Sequence, residues 1–256
     1  MTIKRSYWSI PYLVFLLFFV ALPLILVAVY ALQDAEGRFT FANIARFFGD
    51  SDALSTFALS IEVAIENTAL CLLLGYPVAW ILTNSRLHRS SVTIILFILP
   101  MWINALMRTL ATAELFSVLG FNLGKGTLLF GMVYDYLPFM IYPIYNVLQK
   151  MDKSYAEAAE DLGANPWQVF WKVTVPLSKP GITSGVLMVF MPTVSTFAIS
   201  EFLTNNKVKL FGTIIQENIN SSMWNYGAAL SLIMLVIIGI TTLFSDNGSE
   251  REGGLI

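Results

Sequence analysis

Ile10-Pro-Tyr-Leu-Val-Phe-Leu-Leu-Phe-Phe-Val-Ala-Leu-Pro-Leu-Ile-Leu-Val-Ala-Val-Tyr-Ala-Leu32 is an apolar run without a single charged residue. A helix needs about 20 such residues to cross a bilayer. Lys4 and Arg5 precede the run as in a secretory leader. Its length, however, exceeds the roughly 7–15 apolar residues of a cleavable leader, and no convincing small-x-small site follows. The stretch therefore reads as an uncleaved first transmembrane helix, and it predicts an all-α membrane protein.

The rest of the chain agrees. Of its 256 residues, 56% are hydrophobic and 12% charged, whereas soluble domains carry about a quarter charged residues. Five more spans are predicted at Val63–Leu82, Val92–Ala113, Thr127–Leu148, Ile182–Leu203 and Tyr226–Phe244, making a six-span domain over residues 10–244. Asn84–Ser91 is a short basic turn between the second and third. Residues 149–181 are too polar to span, and the Gly-rich tail 245–256 is expected to fray.

Basic residues orient such a chain. With the 1–9 segment inside, inner segments hold Lys4, Arg5, Arg86, Arg89, Lys150, Lys153, Lys172, Lys179 and Arg251. Outer segments hold Arg38, Arg46, Lys125, Lys207 and Lys209, and the first outer loop adds Asp34, Glu36, Asp50 and Asp52. Both termini and the 149–181 loop are thus predicted to be cytoplasmic.

Several chemistries are excluded. A net charge of −2 gives no reason to expect a nucleic-acid partner. One cysteine, Cys71, provides neither a disulfide framework nor a thiolate metal site, and one histidine, His88, argues against histidine metal ligation. No G-x-x-x-x-G-K-[ST] loop is present to cradle ATP. Pro23, Gly75, Pro77, Pro100, Pro138, Pro143 and Pro192 interrupt the spans. Such breaks are tolerated beside neighbouring helices or a cavity, and they suit a translocation pathway better than an anchor.

The 149–181 loop contains Tyr155-Ala-Glu-Ala-Ala-Glu-Asp-Leu-Gly-Ala-Asn-Pro-Trp-Gln-Val-Phe-Trp-Lys-Val-Thr-Val-Pro176. Ser154 with Glu157 three residues on predicts a capping box opening a helix to Leu162. Gly163 is a left-handed stop. Asn165 then caps a second helix with Pro166 at its first position. That helix aligns Trp167, Phe170, Trp171 and Thr174 until Pro176 ends it.

These residues resemble a known signature. The pattern E-A-A, three residues, G, nine residues, I-x-L-P marks the permease subunits of bacterial ABC importers. Glu157, Ala158, Ala159, Gly163, Val173, Val175 and Pro176 match its spacing, with valine at both the isoleucine and the leucine. The resemblance implies a type I importer fold and an ATPase-coupling site formed by Tyr155, Glu157, Ala158, Ala159, Gly163, Trp167 and Pro176. It also implies that ATP and Mg are held by a separate ATPase, this chain carrying no cofactor and no catalytic residue. The implied partners are two ATPase copies, a second permease chain or another copy of this one, an extracytoplasmic binding protein and the lipid of a bacterial inner membrane.

Strings across the chain resemble the first permease subunit of spermidine/putrescine importers. They include Phe39-Thr-Phe-Ala-Asn43, Leu74-Gly-Tyr-Pro-Val-Ala-Trp80, Leu99-Pro-Met-Trp-Ile-Asn-Ala-Leu-Met-Arg108 and Tyr136-Leu-Pro-Phe-Met140. Importers of iron, thiamine or oxyanions share parts of them, and a stand-alone secondary transporter is the rival of another class.

Polar residues within spans usually face a cavity or a partner. On a straight third span Trp102 lies about 15 Å from its inner end, and Asp135 lies about 12 Å from the outer end of the fourth. Asn104, Arg108 and Thr112 share one face, as do Thr193, Thr196 and Ser200. Carboxylates and aromatic faces both attract ammonium groups. Trp102, Asn104, Arg108, Tyr134, Asp135 and Glu201 are therefore the predicted substrate pathway, with Tyr136 nearby. Asp135 pairing structurally with Arg108 is the competing role.

Overall fold

The computed structural model describes residues 10–84 and 91–250. The expectations placed on Lys4, Arg5, Arg86, His88, Arg89 and Arg251 lie outside these residues.

The described chain is almost wholly helical. In order it forms α1 (Ile10–Leu16), a π turn (Leu17–Ala21), α2 (Leu22–Ala31), α3 (Ala42–Gly49) and α4 (Ser51–Asn84). Then come α5 (Ser91–Ile98), a 3₁₀ turn (Leu99–Trp102), α6 (Ala105–Val118), α7 (Lys125–Lys150), α8 (Ser154–Asp161) and α9 (Pro166–Val169). A π turn (Phe170–Thr174), α10 (Val175–Leu177), α11 (Lys179–Ser195), α12 (Ala198–Thr204), α13 (Phe211–Asn220) and α14 (Trp224–Glu250) complete it.

Four described helical stretches are long and apolar enough to cross a membrane: Pro11–Ala31, Ser51–Asn84, Lys125–Lys150 and Trp224–Thr242. Two more reach that length only as bent pairs, Ile95–Trp102 with Ala105–Val118 at 95° and Pro166–Leu177 with Lys179–Ser195 at 64°. The third predicted span is thus not one straight helix. Pro100 has no N–H to donate, Ile103 is extended, and Asn104 starts a new helix by accepting the Leu106 N–H at 2.9 Å. The fifth predicted span is also divided, because Thr196 is extended after α11. The first part of the tail departs from expectation too, since α14 continues through 245–250; extending a formed helix costs far less than nucleating one.

The chain divides into two compact units. In the first, Met1–Ser55 with Ile214–Ile240, the Asn225 amide donates to the carbonyls of Gln33 at 2.8 Å and Asp34 at 3.2 Å. Arg46 lies over the Tyr226 ring, 4.2 Å from its centroid. The most apolar window of the Pro11–Ala31 stretch has no buried residue. So wide an apolar exposure fits a helix whose solvent is lipid.

In the second unit, Thr56–Thr213 with Thr241–Ile256, α7 is central. Met140, Ile141, Ile144 and Leu148 of α7 pack with Cys71, Ala79 and Leu82 of α4 and Val189 of α11. Gly181 and Gly185 bring α11 close to α7. A Cβ at Gly181 would stand 2.9 Å from the Pro143 carbonyl oxygen, and one at Gly185 2.7 Å from the Met140 sulfur. Small residues at i, i+4 allow such close approach between membrane helices. The buried Asn67 amide donates to Thr193 Oγ1 at 2.8 Å, tying α4 to α11.

Candidate functional site

Two groups of sequence-marked residues are drawn together, both within the second unit. The first joins α6 and α7. Arg108 Nη2 lies 3.1 Å from Asp135 Oδ1, with side chains 5% and 2% exposed. Nη2 also donates to the Asp135 backbone carbonyl at 3.4 Å, and Thr109 Oγ1 donates to Asp135 Oδ2 at 3.1 Å. The Arg108 guanidinium carbon stands 5.6 Å from the centre of the Tyr134 ring, within cation–π range. Arg108 Nε and Nη1 are buried without an acceptor among the described residues. Asp135 Oδ1, at ion-pair distance from Nη2, has no hydrogen-bond partner among the described residues either, so the pair is neutral in sum yet incompletely bonded on both sides. Removing one member of a buried pair exposes the full desolvation cost of the other.

Of the six predicted pathway residues, Arg108, Tyr134 and Asp135 meet here, so the structure makes Arg108 and Asp135 an ion pair. The Asn104 side chain caps α6, its Oδ1 accepting the Leu106 N–H. Trp102 ends the 3₁₀ turn with 85% of its surface exposed. Its depth on a straight helix no longer applies. Glu201 is partly buried on α12, and neither it nor Trp102 contacts the cluster by hydrogen bond, ion pair or ring among the described residues. Thr193 and Ser200 also separate: Thr193 binds Asn67, and Ser200 Oγ bonds Thr213 Oγ1 at 2.9 Å.

Sequence reasoning missed Thr109, whose partner is 26 positions away. It also missed Glu62 and Glu66, which hold Lys125 Nζ at 2.6 and 2.9 Å. Their i, i+4 spacing was a legible signal, though starting the second span at Val63 left Glu62 outside it and Glu66 within.

The second group is the loop. Ser154 is the first residue of α8 and does not cap it. Asp152 Oδ1 instead accepts the Ser154 N–H at 2.9 Å. That hydrogen bond and a second one with the Ser154 side chain hold the Asp152 carboxyl below its ordinary pKa. Gly163 ends the helix at φ +86°, with Gly163 N–H donating to the Glu160 carbonyl and Ala164 N–H to the Ala159 carbonyl. Only glycine adopts that conformation without cost. Asn165 caps α9 as expected: its Oδ1 accepts the Gln168 N–H at 2.8 Å, and Gln168 Oε1 accepts the Asn165 N–H at 3.0 Å.

Pro176 does not end this second helix. It is the second residue of α10, where a missing N–H matters least, and the bend falls at Ser178. Phe170 turns inward, edge-on to Tyr76 at 5.6 Å and to Trp80 at 5.7 Å. Trp167 stacks on Phe170 at 6.1 Å and is 69% exposed, while Leu162 beside the glycine is 89% exposed. Tyr155, Glu157 and Ala158 are exposed as well, and Ala159 is half-buried. A cavity of about 260 Å³ lies under the loop, between α8 and the ends of α4 and α7, with Trp80, Leu148, Ala156 and Phe170 in its lining. Exposed apolar side chains on a capped bend are the kind of patch that marks an interaction surface.

Known proteins agree with this layout. The family described as "Binding-protein-dependent transport system inner membrane component" matches residues 4–248. A spermidine/putrescine transport system permease protein, PotB, of Salmonella typhimurium (strain SL1344) is 33% identical over 223 residues, covering 80% of this chain and 77% of that protein. Its counterpart in Haemophilus influenzae is 32% identical over 249 residues, covering 88% and 87%. A crystal structure of a bacterial alginate ABC transporter, in complex with its alginate pentasaccharide-bound periplasmic protein, superposes with a TM-score of 0.71 at 14% identity, covering 96% of this chain and 93% of that one. The exposed apolar helices, the capped glycine bend and these likenesses lead to one conclusion: the chain belongs to the family of binding-protein-dependent transport system inner membrane components, the permeases of ABC importers.

Proposed function

We propose that this permease serves an ATP-driven importer of polyamines, spermidine and putrescine among them. The observation that carries the cargo assignment is the identity of about a third to two spermidine/putrescine permeases over most of the chain. A carboxylate held between helices supports it, because Asp135 is a ready partner for an ammonium group. In this reading the chain crosses the inner membrane six times, Ile95–Trp102 with Ala105–Val118 making the third crossing and α11 with α12 the fifth, with both termini cytoplasmic. It supplies half of the pathway and a second permease chain the rest. ATP and Mg are held by two ATPase copies, and an extracytoplasmic binding protein delivers the cargo.

The α8–Gly163–α9 bend then docks on the ATPase, and its displacement alternates the side to which the pathway opens. Arg108 acts as an internal counter-ion for Asp135. An entering ammonium competes with the guanidinium for the carboxylate, while Trp102, Tyr134 and Glu201 attract the rest of the polycation. Arg108 is displaced only while cargo is present, so the pathway stays neutral between cycles.

Two variants test the two parts. Gly163→Asp in the full complex is expected to reduce the amount of ATPase that co-purifies; an unchanged complex would remove the loop from docking. Asp135→Asn is expected to lower spermidine uptake while the ATPase stays bound. Undiminished uptake would take Asp135 out of the pathway.

A further inference from the structure

The exposed loop joins α11 at a buried serine. Ser178, wholly buried, sits at the vertex of the 64° bend between Pro166–Leu177 and Lys179–Ser195. Its N–H donates to the Thr174 carbonyl at 3.0 Å, and its own carbonyl accepts the N–H groups of Gly181 and Ile182 at 3.0 and 3.1 Å. Ser178 Oγ donates its single proton to the Val175 carbonyl at 2.9 Å. The Tyr76 hydroxyl, 2.9 Å from that Oγ, must therefore be the donor in their contact. Tyr76 belongs to α4, 102 positions earlier, and is itself buried.

The same tyrosine ring meets Phe170 edge-on, and Trp80, one turn along α4, meets Phe170 from the other side. Phe170 in turn carries Trp167 and Trp171. A displacement of the loop thus has two routes inward. One follows the backbone through Ser178 into α11, which is close-packed on α7. The other passes from Phe170 through Tyr76 and Trp80 into α4. Tyr76 lies on both, since its ring takes the aromatic contact and its hydroxyl holds the vertex. Without the hydroxyl, Ser178 keeps its bonds within its own segment and loses its hydrogen bond to α4.

We infer that Tyr76 is a coupling residue, its hydroxyl pinning the Ser178 bend so that the docking loop, α11 and the adjoining end of α4 move as one body. The inference rests on the docking reading above and adds to it the internal part that carries the motion. Tyr76 contacts neither the cargo nor the ATPase in this assignment, so it is a positioning residue.

The test uses the assembled complex in liposomes, with spin labels at Lys172→Cys and Ile81→Cys in a background where the buried Cys71 is replaced by alanine. In the otherwise unaltered chain the label-to-label distance is expected to be narrowly distributed with and without ATP. Tyr76→Phe is expected to broaden it, and to lower spermidine uptake per ATP hydrolysed by about fivefold, the scale of one lost buried hydrogen bond. Ser178→Ala should do the same, and the double variant should be no worse than either single one. A distribution in Tyr76→Phe as narrow as in the parent overturns the pin, as does a double variant whose losses simply add. The docking reading fails by a different sign, absence of the ATPase from the complex of the unaltered chain. The distance measurement needs no cargo, so it decides the pin in either event.

Discussion

Arg108 and Asp135 are among the costliest side chains to place between membrane helices, and the fold closes them on each other. Trp167 and Leu162 are among the most apolar, and the fold leaves them open. The first arrangement hides charge, the second displays oil. Each is stable only if something completes it. A neutral pair can wait for a cation to compete for its carboxylate, whereas an exposed apolar bend needs a permanent neighbour. On the proposed function, the contrast separates a pathway that must be empty most of the time from a dock that must stay occupied.

The comparison breaks first if Asp135 can be removed without penalty. Asp135→Leu strands a buried guanidinium, and the melting transition in detergent should register a loss of about 3–5 kcal/mol. Adding Arg108→Met should restore most of it. A second variant as unstable as the first would mean that the pair is not the stabilising unit.

The dock is expected to behave in the opposite way. Trp167→Ala should move chain stability by no more than about 0.5 kcal/mol, as exposed positions do. Its affinity for the ATPase should nevertheless fall by about 2 kcal/mol or more, the range of an aromatic hot spot. Titration of the purified ATPase against the two chains reads this directly.

A smaller effect is expected within the loop. Asn165→Ala removes the cap and its reciprocal bond with Gln168, costing about 1 kcal/mol of local stability. Hydrogen exchange at Gln168 should quicken while the amides of α7 stay protected.

The smallest concerns Asp152. Its folded pKa is lowered by the Ser154 N–H, so its contribution is present above the unfolded pKa and lost as pH falls through the folded one. Exchange at Ser154 should therefore accelerate only below the ordinary carboxylate range. Asp152→Asn, which keeps an acceptor without the charge, should flatten that dependence.

How much was legible beforehand follows the range of each interaction. The Gly163 turn and the Asn165 cap were readable because each is settled within a few residues: a left-handed φ calls for glycine, and a cap needs an acceptor beside the first turn. The Ser154 cap was misplaced because the helix opens one residue earlier: Ser154 is already its first residue with its N–H on Asp152 Oδ1, and the Glu157 N–H donates to the Lys153 carbonyl. Pro176 was read as a stop, yet a proline within the first turn of a helix loses nothing. The breaks at Asn104 and Thr196 were missed because hydropathy averages over a window and cannot register one extended residue.

By itself, then, the sequence determined that the chain lives in a membrane, that it carries a capped, glycine-bent loop, and that Arg108 and Asp135 need an explanation. Composition, caps and turns act locally or in bulk, and both are written along the chain. Only the tertiary structure decided that Arg108 pairs with Asp135 through α6 and α7, that Trp102 and Glu201 stand apart from them, and that Tyr76 reaches Ser178. Those facts depend on which helix faces meet and how closely. Gly181 and Gly185 permit that approach, but no spacing in the sequence says which helix takes the place they leave.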